Sequence, residues 1–214
     1  KKVGIEYHGL KWHTEARKGK NAHLNKLNMA KAVNLNLLQI FEHEWRDRNF
    51  QVRSFLTSKL GLNKQKLFAR KCDLREIEKQ EACAFLNQNH IQGAGRFEKA
   101  FGLYHNNELM MLIAFGKHHR GGSEIVLTRC VSKFDTTIVG GLSRLCKHAK
   151  SIYGSFITWI DLRWSDGSSW IATGWKQEEA LKPDYFYYNE NTKKIVSKQS
   201  RRKSNPKYCC CLHK

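Results

Sequence analysis

Apolar and polar residues alternate over Val3-Gly4-Ile5-Glu6-Tyr7, and an almost unbroken apolar run follows at Leu35-Asn36-Leu37-Leu38-Gln39-Ile40-Phe41. Both patterns predict strands. Between them Leu24, Leu27, Met29 and Val33 recur at helical spacing, which predicts a helix over 23–32 after a polar, Gly-broken loop at 14–21. The chain therefore opens strand, helix, strand. A second helix is expected from about His43, with Trp45, Val52, Phe55 and Leu56 on its apolar side, followed by a basic stretch over 59–71. A domain boundary is expected near Cys72.

Beyond that point the pattern predicts a helix over 74–89, then three strands at 101–104, 109–117 and 124–130, the first two joined at Asn106-Asn107. Gly140-Gly141 opens a further helix through Leu142, Leu145 and His148, and 156–162 reads as a strand. Gly167 starts a short helix ahead of Gly174-Trp175. The expected fold class is α/β plus α+β: a domain over 1–71, an α+β module over 72–192 and a basic, disordered tail over 193–214.

Charge changes the picture more than composition does. A formal net charge of +19 exceeds what solubility requires and points to a polyanionic partner, of which double-stranded DNA is the expected one. Seven Cys occur without a single CxxC pair, which argues against a zinc ribbon and for reduced thiols. The Cys209-Cys210-Cys211 run is read as a frayed terminus. No apolar run approaches the ~18 residues of a membrane span, so a soluble, cytoplasmic protein without membrane association is expected. The sequence opens in a strand without a Met, and upstream sequence is expected to be missing.

The densest group of chemically able side chains is Glu6, His8 and His13. On a strand Glu6 and His8 share one face, and His13 lies beyond the turn at Gly9. A carboxylate that binds a divalent cation and imidazoles that move protons are what phosphodiester hydrolysis needs. An exposed strand face with a satisfied His is the structural alternative. Glu42, with Glu44, closes the next strand, either as a second metal-binding acid beside Glu6 or as an acid complementing a helix N-terminus. Phosphate contacts are assigned to Arg17, Lys18, Lys20, Lys64, Lys66 and the Arg201-Arg202-Lys203 stretch. Arg163 is either a DNA contact or half of an Asp161–Arg163 pair with Trp164 packed beneath it.

The strings IEYHGLKWHTE (5–15), HLNK (23–26), LLQIFEHEW (37–45) and LFARKCDLREI (67–77) resemble the nuclease half of phage homing endonucleases related to very-short-patch repair endonucleases. This is the EDxHD branch of the PD-(D/E)XK fold. The resemblance implies a four-stranded mixed core that cuts DNA with Mg²⁺, in which Glu6 matches the acid of the D/E-X-K element, His8 its Lys position and His13 the His after the Trp; the nuclease expected on all these readings uses water as nucleophile and Glu6, His8, His13 and Glu42 as its site. His8 stands where that family has Lys, and the family's first Asp belongs to a strand upstream of residue 1. FLNQNHIQG (85–93), FGLYHNNELMMLIAFGK (101–117), LTRC (127–130), VGGLSRL (139–145), WIDLRWSDGSSWIATGW (159–175) and PDYFYY (183–188) resemble the module that follows the nuclease in those proteins. Its order of elements is similar to a GNAT-type acyltransferase, with only Gly140-Gly141 at the place of the pyrophosphate-binding turn. A non-catalytic DNA-binding protein descended from such a nuclease, and an acyl-CoA-dependent acyltransferase, are the rival functions.

Overall fold

The alternating N-terminal segment and the apolar run after it form β1 (Lys2–His8) and β2 (Leu35–Phe41), which pair in parallel with Glu6 opposite Gln39 and His8 opposite Phe41. The computed structural model describes residues 2–118, 121–178, 180–197 and 210–213. Parallel partners need a crossover, and here it carries a single 3-10 turn at Leu10–Trp12, the short α1 (Glu15–Lys18) and α2 (Ala22–Ala32). The expected loop over 14–21 thus holds a helical turn. The buried positions of α2 are His23 and Ala30, with Leu24 and Leu27 half-buried, whereas Met29 and Val33 of the expected apolar face are both 71% exposed. Residues 23, 27 and 30 stack on one side of a 3.6-residue period, so the helix turns an imidazole inward.

After α3 (Glu42–Asp47) the chain enters a second compact unit, Arg48–Trp159. The single helix expected from His43 breaks at Arg48, whose backbone leaves the helical region before α4 (Asn49–Lys59). Arg48 donates to the carbonyls of Asn87, His90 and Ile91, and Gln51 to those of Asn87 and Gln88. These bonds group α4 with residues far beyond Cys72.

The unit continues through β3 (Gln65–Phe68), β4 (Asp73–Glu76), α5 (Lys79–Asn89), β5 (Lys99–His105), β6 (Glu108–Lys117), β7 (Ile125–Ser132), β8 (Thr136–Val139), α6 (Gly141–Tyr153) and β9 (Ile157–Thr158). Its main sheet has the order β4-β5-β6-β7-β9, antiparallel until the last pair, which is parallel; β3 and β8 pair in parallel apart from it. The residues before Lys79 pair with β5 as a strand, although their spacing predicted helix. The strand expected over 156–162 is only the two-residue β9. All of β6 from Leu109 to Gly116 is buried, because α5 and α6 cover alternate side chains. Leu112 and Ala114 join Ala82 and Leu86 of α5, while the Phe115 ring meets Tyr153 of α6 at 5.1 Å. Gly141 has a packing role: a Cβ there would come within 2.5 Å of the Met111 sulfur. Asn106 and Asn107 take positive φ of 50° and 61°, the left-handed pair of a tight hairpin turn.

The chain then returns to the first unit, Lys1–Asp47 with Ile160–Lys214. It adds α7 (Ser168–Ile171) and a three-stranded antiparallel sheet of β10 (Tyr185–Asn189), β11 (Lys194–Ser197) and β12 (Cys210–His213), in the order β11-β10-β12. The disordered tail expected from residue 193 therefore contains two strands, one of them including Cys210 and Cys211. Tyr188, with Phe186 and Ile195 against it, shares a small core with Leu10 and Phe41.

Arg163, one of the candidate DNA contacts, is 3% exposed and turned inward. Its guanidinium donates to both Glu44 oxygens at 3.0 and 2.9 Å and to Asp161 at 2.7 Å, and lies 5.7 Å from the Trp164 ring centre. The pairing alternative is the one realised. Burial opposes the Arg163 charge, but Asp161 and Glu44 outweigh it and raise its pKa. Glu44 also accepts the Phe41 N–H at 2.9 Å, and the Gln39 N–H donates to the Arg163 carbonyl at 3.3 Å, so the cluster fastens 161–164 along β2.

The fold class is mixed α/β, with several sheets and seven helices among the described residues. No helix in them is long and apolar enough to cross a membrane. Arg163→Ala leaves two carboxylates facing each other in the interior and is expected to cost about 3–5 kcal/mol in urea unfolding, against about 1 kcal/mol or less for the exposed pair partner Arg75→Ala. Equal effects of the two substitutions would contradict the clamp.

Candidate metal centre

The site forms where β1 ends and the crossover folds back. His8 is the last residue of β1, His13 follows the 3-10 turn, and His23 stands in the first turn of α2. The ring centres of His8 lie 4.2 Å from His13 and 4.4 Å from His23, and His13 and His23 are 5.1 Å apart. One ring nitrogen from each can be chosen so that all lie within 4.8 Å of one another. Phe41, opposite His8 in the strand register, is the floor, with its ring 5.3 Å from His8 and 5.1 Å from His23.

His8 and His23 are buried and His13 half-buried, with ring nitrogens that lack the partners such groups ordinarily find. His8 is 1% exposed, and neither of its ring nitrogens has a hydrogen-bond partner; nor has His13 Nδ1 or His23 Nε2. Glu6 points the same way. Its Oε2 has no hydrogen-bond partner and sits 3.6 Å from His8 Nε2, while Oε1 pairs with Lys26. The side chain of Gln39 supports α2 from below by donating to the His23 carbonyl at 3.1 Å.

Electrostatics keep the rings neutral. Burial, the other imidazoles, Lys26 and Arg163 lower the His8 pKa to about 3. Burial and His13 lower that of His23 to about 4, against a hydrogen bond to the His13 backbone and the Glu6 charge, which raise it. His13 is lowered by burial, Lys18 and Lys26, with Glu6 opposing. Neutral imidazoles with open nitrogens are metal-ligand material.

The structure thus brings Glu6, His8 and His13 together, as their spacing suggested. Glu42 is otherwise engaged: its Oε2 accepts the Leu10 N–H at 2.9 Å and so fixes the turn that carries His13. Arg17, Lys18 and Lys20 are exposed on the crossover, with Arg17 over the exposed Trp12 ring at 5.1 Å. Lys64 and Lys66 are exposed in the other unit, and Arg201, Arg202 and Lys203 lie outside the described residues. Sequence reasoning passed over His23 and Lys26. Both stand in the HLNK string, three apart on one helix, but a lone His on a helix carries no functional signal until the crossover closes.

The donor set also bears on which ion fits. Mg²⁺ favours oxygen ligands and water, and the cluster offers one carboxylate against three ring nitrogens. These residues do not fit Mg²⁺ as a resident ion. No family model matches the chain, and comparison with curated proteins and with solved structures likewise gives no match.

Protonation supplies the prediction. Because the folded pKa values of His8 and His23 lie below the ordinary ~6.5 of the unfolded chain, the unfolded state takes up protons first as pH falls. The stability held in neutral rings is complete above about pH 6.5 and is lost as pH falls toward 4 and then 3. In EDTA the urea midpoint is expected to drop between about pH 7 and 5, and to drop less in His23→Gln. His90, also lowered to about 3, adds slope in the same window, so the difference between variant and wild type is the quantity to read. Identical slopes would contradict the buried neutral cluster.

Proposed function

We propose that this chain is a metal-dependent DNA endonuclease, a phosphodiester hydrolase of the homing type related to very-short-patch repair nucleases. The observation that carries the proposal is the group of Glu6 and three neutral imidazoles, each with at least one unpartnered ring nitrogen, set at the C-terminal edge of a parallel strand pair in a chain of net charge +19. The β1–crossover–β2 order and the acid two residues before the end of β1 support the PD-(D/E)XK-like reading. A mixed sheet with one parallel edge pair supports a GNAT-like second unit, used as a scaffold for DNA contact. For Gly141 the packing against Met111 and Ile138 accounts for the glycine without a coenzyme, which weighs against acyl transfer.

Each residue has a task in this reading. Arg17, Lys18 and Lys20 draw the DNA backbone to the crossover and hold it by charge. Glu6, held by Lys26 on one oxygen, keeps the other directed at the imidazoles, where it orients a water or accepts its proton. His8 stays neutral at the working pH and, with His13 and His23, would hold a divalent ion through a ring nitrogen. A divalent ion bound there supplies Lewis-acid stabilisation of charge on the scissile phosphate. Double-stranded DNA is the partner, and the cytoplasm of a bacterial or phage-infected cell is the setting this reading implies.

Relaxation of supercoiled plasmid tests it. Nicking is expected with divalent metal, to be absent in EDTA, and to fall by at least about 100-fold in Glu6→Ala, while plasmid binding persists and weakens steeply with salt. Salt-sensitive binding with no nicking under any metal would overturn the nuclease and leave the non-catalytic DNA-binding protein.

A further inference from the structure

We infer that His8, His13 and His23 form a binding site for a nitrogen-preferring divalent cation of the Zn²⁺ class, its fourth position open beside Glu6. The inference deepens the metal-dependent reading above and rests on it for its catalytic meaning, though not for its geometry. Two side chains of the set, His8 at 1% and His23 at 7% exposure, are buried beyond nine-tenths and keep unpartnered ring nitrogens. Burying such groups without compensation is costly, and a shared cation compensates all of them at once. Hard oxygen-seeking ions gain little from three imidazoles, whereas Zn²⁺ takes His nitrogens at about 2.0–2.1 Å in tetrahedral sites. Tetrahedral donors at that bond length stand roughly 3.4 Å apart, so nitrogens now within 4.8 Å need only small side-chain rotations to close on the ion.

The surroundings match that use. Glu6 Oε2 lies 3.6 Å from His8 Nε2 without a hydrogen-bond partner, which places an anionic group at the edge of the triad, where a metal-bound water would meet it. Gln39 holds the backbone of His23 by donating to its carbonyl at 3.1 Å, which fixes the start of the helix that presents the ring. The three ligands come from the end of β1, the turn after it and the start of α2, so the ion also staples the crossover to the strand it leaves.

Metal-stripped full-length protein titrated with Co²⁺ provides the test. One equivalent should give the intense visible absorption of tetrahedral Co²⁺, lost on adding Zn²⁺ and unaffected by a large excess of Mg²⁺. Zn²⁺ at a hundredfold excess over its Kd should raise the melting temperature by roughly 5–10 °C. The half-buried His13→Gln keeps the fold and should weaken Co²⁺ binding at least about tenfold, with His8→Asn as a second variant. Absence of the tetrahedral spectrum, equal competition by Mg²⁺, or unchanged binding in both variants would overturn the inference. Zn²⁺ binding without plasmid nicking upholds the site and removes the nuclease; Mg²⁺-supported nicking without Co²⁺ or Zn²⁺ binding does the reverse.

Discussion

The parallel pairing of β1 with β2 is the constraint on which the first unit depends. Two adjacent strands running the same way cannot be joined by a tight turn, so the chain must leave His8, travel back along the sheet and re-enter at Leu35. That return brings His13 and His23 beside His8, and it sets Phe41 under the rings through the strand register. Arg163 makes the arrangement durable from behind, because its bonds to Glu44, Asp161 and the Gln39 carbonyl tie a distant segment to the same strand. Charge inside the protein thus fastens β2, and the imidazoles packed against its Phe41 ring are left neutral.

Neutral rings with open nitrogens are an unfavourable thing to bury, and proteins retain such defects where a ligand makes use of them. Around the cluster the side chains divide by task. Glu42 and Gln39 hold the backbone that carries the rings, Glu6 and Lys26 set an acid against them, and the exposed basic residues of the crossover face solvent where a polyanion can arrive. One compact arrangement therefore joins a candidate metal centre to an electrostatic approach for nucleic acid, and this conjunction is why hydrolysis of DNA is the function it supports best.

Much of this was legible in the residues. Period-two and apolar-run patterns located β1, β2 and the β5–β7 meander, and the Asn106-Asn107 turn was visible from its chemistry. Glu6, His8 and His13 stood out through their spacing. What escaped was set by tertiary pairing: residues 73–76 have helical spacing yet complete the edge of a sheet, and the helix after Phe41 breaks where Arg48 turns to carbonyls some forty positions on. His23 was hidden because its role exists only once the crossover folds. Arg163 reads alike as a surface cation and as a buried clamp until the carboxylates that surround it, one of them 119 positions away, are in place.

On the proposed function, a single metal ion at the imidazole cluster makes DNA cleavage possible. This is tested most directly by adding Zn²⁺ or Mn²⁺ stepwise to metal-stripped protein and following bound metal and plasmid nicking on the same samples. Both should rise together and level off at one ion per chain. Nicking that is complete before metal is added, or that continues to rise independently of occupancy, would contradict it.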